Sequence, residues 1–229
     1  MKHRRFPRLS ILDRIAVLAL AALIFAPAPK ANACGFRWRH PKSGHVYQSE
    51  SLLRSGQFQS AYNAAREAFP GVESLDVAKA KPPKGWRNRR GFDLKLRALS
   101  VMAGATIRGE GFTNGQYWRD TALAAQRVKR IKWAVAKLRV VTKKLPYNYN
   151  IKAYLAEGLA KLGKSDDALK LLASLYKSKR LHDAQALATY ARLLNEAGEI
   201  GQRDDVAKSC FQRTSSSACP VFAKSRLPI

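Results

Sequence analysis

Apolar residues recur at helical spacing through most of the chain after residue 50. The longest pattern covers 117–145, where apolar or small residues step by three and four along one face. No stretch shows the strict alternation typical of a half-buried strand, so the pattern predicts an all-α protein. The stripe consists of Thr121, Ala124, Val128, Ile131, Val135, Leu138, Thr142 and Leu145.

Shorter periodic segments predict further helices between chain breakers. Pro70-Gly71, Gly163 and Gly198 each follow such a segment, as expected for residues that end helices. Residues 35–49 have no clear period and predict an irregular lead-in, whereas 79–92 is a basic segment with two prolines that predicts an exposed loop. The predicted helices cover 58–69, 92–107, 151–162, 166–176, 184–197 and 202–211.

Residues 1–33 have the three parts of a secretory signal, which are a basic start, an apolar core and a small-x-small end. The apolar core, 15–26, would span only ~18 Å as a helix, against roughly 30 Å for a bilayer interior. We therefore expect cleavage after Ala33 and a periplasmic or secreted protein. Cys34 follows at once, so lipid anchoring at this cysteine is the alternative.

Four segments follow from these patterns. Residues 1–33 are the cleavable signal and 34–92 an N-terminal helical region with the basic loop. Residues 93–213 hold the helical repeats described next, and 214–229 form a tail that is rich in serine and predicted to be extended.

An internal period connects the two central helical segments. Ala122 and Ala134 recur 34 residues later as Ala156 and Ala168. Small residues at such positions let two paired helices approach closely, and together with Gly163 in the turn this pattern resembles the tetratricopeptide repeat (TPR) family, whose period is 34 residues. The resemblance covers 115–211, is best over 154–176, and extends partly to 51–71.

The first of these units leaves an alternative open. Lys129 and Arg130 stand where a repeat needs a turn, and neither residue breaks a helix. Residues 117–145 therefore form either two short helices or one helix about 43 Å long.

The TPR resemblance implies a function and a binding surface. Proteins of this family stack helix pairs into a curved solenoid and hold a protein segment on the concave face, which the first helices line. On this chain the side chains projecting there would be Arg119, Gln126, Arg127, Asn150, Lys161, Arg192 and Asn195.

The net charge of the chain indicates that its partner is anionic. Of 42 basic and 16 acidic residues, 36 and 15 lie after residue 33, which gives that part a net charge of +21. Such a charge favours acidic protein segments, phospholipid head groups or cell-wall polymers; nucleic acid is a less expected partner outside the cytoplasm. Two segments concentrate the bases, the loop 79–90 with Trp86 and the helix 127–144 with Trp133. The predicted anion-binding residues of the loop are Lys81, Lys84, Arg87, Arg89 and Arg90.

Candidate chemistry is sparse. No phosphate-binding loop, nucleophile elbow or metal-binding helix motif occurs, so we expect no enzyme, no cofactor and no metal site. Cys210 and Cys219 lie close in sequence, and in an oxidising compartment they predict a disulfide, which would contribute about 2–3 kcal/mol. The sequence thus predicts a non-enzymatic interaction module, with binding of anionic surfaces or polymers as the alternative.

Overall fold

A computed structural model describes residues 42–112, 121–214 and 219 of the chain. This part contains α-helices, two single-turn 3-10 helices at Val72–Ser74 and Glu110–Phe112, and no strand, which confirms the predicted all-α class. The eight α-helices of the described residues are α1 (Ser43–Arg54), α2 (Phe58–Ala68), α3 (Trp86–Arg108), α4 (Thr121–Lys144), α5 (Tyr149–Lys161), α6 (Ser165–Lys177), α7 (Ala184–Glu196) and α8 (Ile200–Thr214).

Local sequence explains where the later helices begin and end. The side chains of Asn148 and Asp183 accept hydrogen bonds from backbone N–H groups in the first turns of α5 and α7. Gly163 and Gly198 have φ of 75° and 79° directly after α5 and α7, a left-handed conformation that glycine adopts without strain. Each pair of helices, α5 with α6 and α7 with α8, is therefore joined by a short turn.

The helices pack in a regular order. Each helix contacts the next one along the chain, and the odd-numbered helices also contact one another in succession, α1 with α3, α3 with α5 and α5 with α7. Among the described residues, no two even-numbered helices are a closely packed pair. Consequently α3 and α5 each touch four other helices.

The hydrophobic core lies along these two central helices. In α3 every residue from Ala98 to Arg108 is buried, and in α5 the same holds from Ala153 to Leu159. A helix buried all round must lie between several neighbours. Gly158 of α5 sits where added atoms would meet Val135 and Ile107, so α4 and α3 both approach its backbone closely.

The structure decides the open question over 117–145. From Thr121 to Lys144 the chain is one uninterrupted helix. Of the two alternatives left open by the sequence, the described residues form the single helix, with no turn at 129–130. The physical reason is that neither Lys129 nor Arg130 breaks a helix, while the apolar stripe continues through them and packs α4 on the core.

Two helix starts also differ from the prediction. The lead-in expected to be irregular contains α1, which begins at Ser43 and buries Val46 and Leu53 against the core. Similarly, α3 begins at Trp86, inside the predicted loop, and passes through the segment boundary placed after residue 92. Tertiary packing supplies the helix stability that the local sequence lacks.

The predicted pairing of Cys210 with Cys219 is confirmed, with sulfur atoms 2.07 Å apart. It fastens residue 219 to α8. The signal segment 1–33, Cys34 and most of the tail 214–229 lie outside the described residues.

Candidate functional site

A basic cleft of about 900 Å³ lies among the described residues. Five segments form it: α1, the first turns of α3, the end of α4 with the following turn, the start of α5, and the connection from α6 to α7. Its lining contains six Lys or Arg residues, three tyrosines and one carboxylate. The residues are Tyr47, Arg89, Arg90, Asp93, Leu94, Arg97, Lys143, Lys144, Leu145, Pro146, Tyr147, Asn148, Tyr149, Asn150, Arg180 and His182.

One wall of the cleft is fixed by an ion pair. The guanidinium of Arg97 donates to both carboxylate oxygens of Glu50, at 2.8 and 2.6 Å, and lies 4.8 Å from the ring centre of Tyr47. Two parallel bonds hold a guanidinium in one orientation. Arg97 therefore joins α3 to α1 and places Tyr47 at the rim of the cleft.

The facing wall combines cations with aromatic rings. Arg180 lies 4.9 Å from the ring centre of Tyr149, and Lys152 approaches the same ring at 5.5 Å. Contacts of this kind hold a cation over a ring while leaving its other side able to bind an anion. Tyr147 is 85% exposed, so its ring is open to a ligand.

Asp93 is the only carboxylate in the lining of the cleft, as far as the described residues go. Burial raises the pKa of Asp93, and the nearby charge of Arg89 partly offsets this. Both effects indicate a carboxylate in a confined position beside cations. The lining is therefore strongly positive, with Asp93 as its one carboxylate among the described residues and with Arg97 already paired with Glu50.

The cleft continues into the exposed basic segment. All residues from 81 to 90 are exposed, and the indole of Trp86 is 62% exposed with the guanidinium of Arg87 5.4 Å from its ring. Of the five predicted anion-binding residues, Arg89 and Arg90 line the cleft, and Lys81, Lys84 and Arg87 lie on the segment leading to it. The basic helix differs, because Trp133 packs against the core instead of lying on the surface.

The seven predicted partner-binding residues are not all brought together. Asn150 lines the cleft, while Arg127 and Lys161 both bind Glu110, the latter at 3.2 Å, near the other end of α5. Eleven residues of helix separate Asn150 from Lys161, or about 17 Å.

The remaining four are scattered. Gln126 is exposed on α4, and Arg119 lies outside the described residues. On α7, Arg192 pairs with Glu196 at 2.6 Å, and the side-chain oxygen of Asn195 accepts a hydrogen bond from Arg203. Gln126, Arg192 and Asn195 do not line the cleft.

A buried ionic network lies at the junction of α3, α5 and α7. Arg108 donates to Glu157 at 2.9 and 2.6 Å and to Asp183 at 3.2 and 2.5 Å. The ring of Tyr154 lies 4.7 Å from the same guanidinium. The network ties together the three odd-numbered helices whose N-terminal regions and connections shape the cleft.

Burial and charge compete within this network. Burial lowers the pKa of Arg108, but the two carboxylates outweigh it and raise the pKa above its ordinary value. Burial raises the pKa of Glu157, and the charge of Arg108 opposes that rise. Arg108 therefore remains positively charged in the folded protein, and Glu157 and Asp183 compensate its buried charge.

In the part of the chain that the structure describes, no three His, Cys, Asp or Glu side chains group so as to hold a metal ion. None of its helices is both long and apolar enough to cross a bilayer.

Comparison with protein-family models, with curated proteins and with solved structures finds no significant match.

Sequence reasoning missed several residues of the cleft. Arg180 and His182 occur in a connection, and Tyr47 lies in the segment predicted to be irregular. Tyr147 and Tyr149 flank Asn148, which caps α5, and a capping residue of this type is a local signal that could have marked them. Nothing in the sequence indicates that these segments converge.

Proposed function

We propose that this protein is a non-enzymatic interaction module that binds an acidic segment of a partner protein in the basic cleft. The observation that carries the proposal is the lining itself, with six cations, three tyrosines and only Asp93 as an opposing charge. Tyrosine rings give contact area at small entropic cost, and arginines bind carboxylates through paired hydrogen bonds. An acidic segment of a partner protein can pack on the tyrosine rings and can also accept the hydrogen bonds of the arginines.

We further propose that the helices are four stacked pairs of a short TPR-like solenoid. The pairs are α1 with α2, α3 with α4, α5 with α6, and α7 with α8. Support comes from the succession of contacts among odd-numbered helices, since the first helices of stacked pairs contact one another in such solenoids. The first helices α1, α3 and α5 each contribute residues to the cleft, together with the end of α4 and the connection from α6 to α7.

An acidic peptide tests the cleft directly. A fluorescent Glu-rich peptide should bind the wild-type protein and bind the double variant Arg89→Gln/Arg180→Gln about tenfold or more weakly, because a desolvated charge contact is worth on the order of 2 kcal/mol. The matched control is Lys177→Gln/Lys208→Gln, which removes the same charge from exposed positions outside the cleft. Equal losses in both variants would reject the cleft as the site.

A pull-down from periplasmic extract at two salt concentrations then looks for the natural partner. Enrichment over an unrelated basic protein should fall as salt screens the charges. A partner retained equally by the cleft variant would contradict the proposal.

Binding to anionic surfaces or polymers is a second candidate, favoured by the exposed indole of Trp86 among the bases of 81–90. Tryptophan and lysine together are suited to the interface of an anionic membrane. Vesicles containing phosphatidylglycerol should bind the wild type, whereas Lys81→Gln/Lys84→Gln/Trp86→Ala should bind them several-fold less. Unchanged vesicle binding would reject this candidate without touching the cleft, since none of the three residues lines it.

Export is proposed from the signal-like residues 1–33, and the disulfide is compatible with an oxidising compartment. Mass spectrometry of the mature N-terminus tests it. A free Cys34 at the first position would support simple cleavage, and a lipid-modified Cys34 would support anchoring. A chain that still begins at Met1 would reject export by this signal.

A further inference from the structure

A second groove lies apart from the basic cleft and shares no residue with it. It runs along one face of α4 beside the end of α5 and the turn into α6, and its volume is about 450 Å³. Its lining is apolar and basic, without a carboxylate among the described residues. The residues are Val128, Lys132, Val135, Ala136, Arg139, Leu159, Lys161, Leu162 and Lys164.

The floor of this groove is apolar. Val135 and Leu159 are buried at its base, whereas Val128 is 42% exposed at one end. Val128 is therefore an apolar side chain exposed to water on a basic helix, and a binding partner that covered it would remove it from water. The strip from Val128 to Arg139 extends ~17 Å along α4, or about three helical turns.

Cations stand on both walls of the groove. Lys132 and Arg139 project from α4, and Lys164 projects from the turn between α5 and α6. None of these three forms an ion pair with a carboxylate of the described residues. Lys161, by contrast, is engaged by Glu110 at 3.2 Å. Three exposed cations therefore lie around an apolar strip, and no carboxylate in the described part of the chain forms an ion pair with them.

We infer that this groove docks an acidic amphipathic helix of a partner protein. A helix with an apolar stripe flanked by Glu or Asp matches an apolar floor between two basic walls. The α4–α6 contact is also absent from the closely packed pairs of the described chain, so this side of α4 has no helix of its own against it. The inference is independent of the proposed function of the cleft.

The probe is a fluorescein-labelled synthetic helix of four turns, with Leu at three- and four-residue spacing flanked by Glu. A control peptide has the same composition in shuffled order. Wild-type protein should bind the amphipathic peptide at least several-fold more tightly than the shuffled one. Equal binding would mean that charge alone acts, and would overturn the inference.

A substitution that fills the groove without changing its charge tests whether the peptide binds there. Ala136→Trp places an indole in the groove at an exposed position and should weaken binding about tenfold or more, as loss of an interface centre does. The matched control Ala197→Trp adds the same ring at an exposed position outside the groove and should bind normally. Circular dichroism checks that both variants fold.

Two further measurements distinguish the groove from the cleft, and a protein partner from a lipid surface. The cleft variant Arg89→Gln/Arg180→Gln should bind the amphipathic helix as the wild type does; a tenfold loss there would move the site to the cleft. If Ala136→Trp weakens binding to phosphatidylglycerol vesicles but not to the peptide, the groove serves lipid and the inferred partner class is wrong.

Discussion

Arg108 and Glu157 form a two-bond ion pair whose side chains are only 1% and 3% exposed. Asp183 completes the arrangement from a third helix and at the same time caps α7. A buried pair of this kind contributes little relative to apolar residues of the same volume, but breaking it is costly because one charge remains without compensation.

Glu157→Gln should therefore lower the free energy of unfolding by about 3 kcal/mol, since it leaves Arg108 buried with Asp183 alone. Urea denaturation measures the change. The control is Arg192→Ala, which breaks an exposed pair with Glu196 and should cost less than about 1 kcal/mol. Similar costs for both variants would show that the buried network is not specially important.

Gly158→Ala should destabilise the protein by about 1–3 kcal/mol through overpacking. The added carbon would lie 2.6 Å from Val135 and 2.8 Å from Ile107, whose helices are fixed by the core. Gly201→Ala in α8 is the control, because nothing lies within 4 Å of the added carbon there. That variant should gain up to about 1 kcal/mol from helix propensity. Thermal unfolding compares the two, and a stabilised Gly158→Ala protein would contradict the close approach.

Asp93→Asn should strengthen binding of the Glu-rich peptide a few-fold, since it removes the one opposing charge from the cleft and a partly exposed charge contact is worth ~0.2–1 kcal/mol. Asp76→Asn is the matched control. It raises the net charge equally but lies in an exposed loop, beside Lys79. Fluorescence anisotropy at constant salt gives both affinities. Equal gains would mean that net charge, and not the cleft, determines binding.

The tyrosine Tyr62 gives a pH-dependent prediction. Burial, a hydrogen bond with Glu73 and the charge of Glu73 raise the pKa of Tyr62 from 10.0 to about 12. The folded chain thus favours the neutral phenol, so the associated stabilisation is complete below pH 10 and is lost as pH rises towards about 12. Glu73→Gln should lower this pKa, as followed by the ultraviolet absorbance of tyrosinate.

The variant Tyr62→Phe shows which step of the tyrosinate titration belongs to Tyr62, because that step is missing from its absorbance curve. If Glu73→Gln leaves that transition in place, the assigned contact with Glu73 is wrong.

The sequence predicted the α5–α6 hairpin closely because its signals are local. The segments 151–162 and 166–176 compare with the observed Tyr149–Lys161 and Ser165–Lys177. Asn148 caps the first helix, and Gly163 makes the turn. Apolar spacing, a cap and a glycine all agree here, so no tertiary information was needed.

Where local signals conflicted, the prediction was weaker. In α1 the only strong apolar residues are Val46, Leu52 and Leu53, and the helix exists because α2 and α3 cover them. In α4 the alanine landmarks of a repeat suggested two helices, although the continuous stripe favoured one. The stripe decided the outcome, because it determines what is buried.

The cleft and the buried network were beyond prediction from sequence. Arg108 lies 49 residues from Glu157 and 75 from Asp183, and no local pattern connects them. The cleft draws on five separate segments in the same way. Only the packing of α3, α5 and α7 brings these residues together.

Contacts between neighbouring helices alone would let this chain unravel pair by pair from either end, as stacked repeats do. The 75-residue link from Arg108 to Asp183 works against such fraying. Detaching α7 together with its cap Asp183 would remove one carboxylate from Arg108, a buried cation of α3, although α3 and α7 are not a closely packed pair in the described chain. Loss of α7 and α8 would therefore also destabilise α3 and α5, and the described helices should unfold as one cooperative unit.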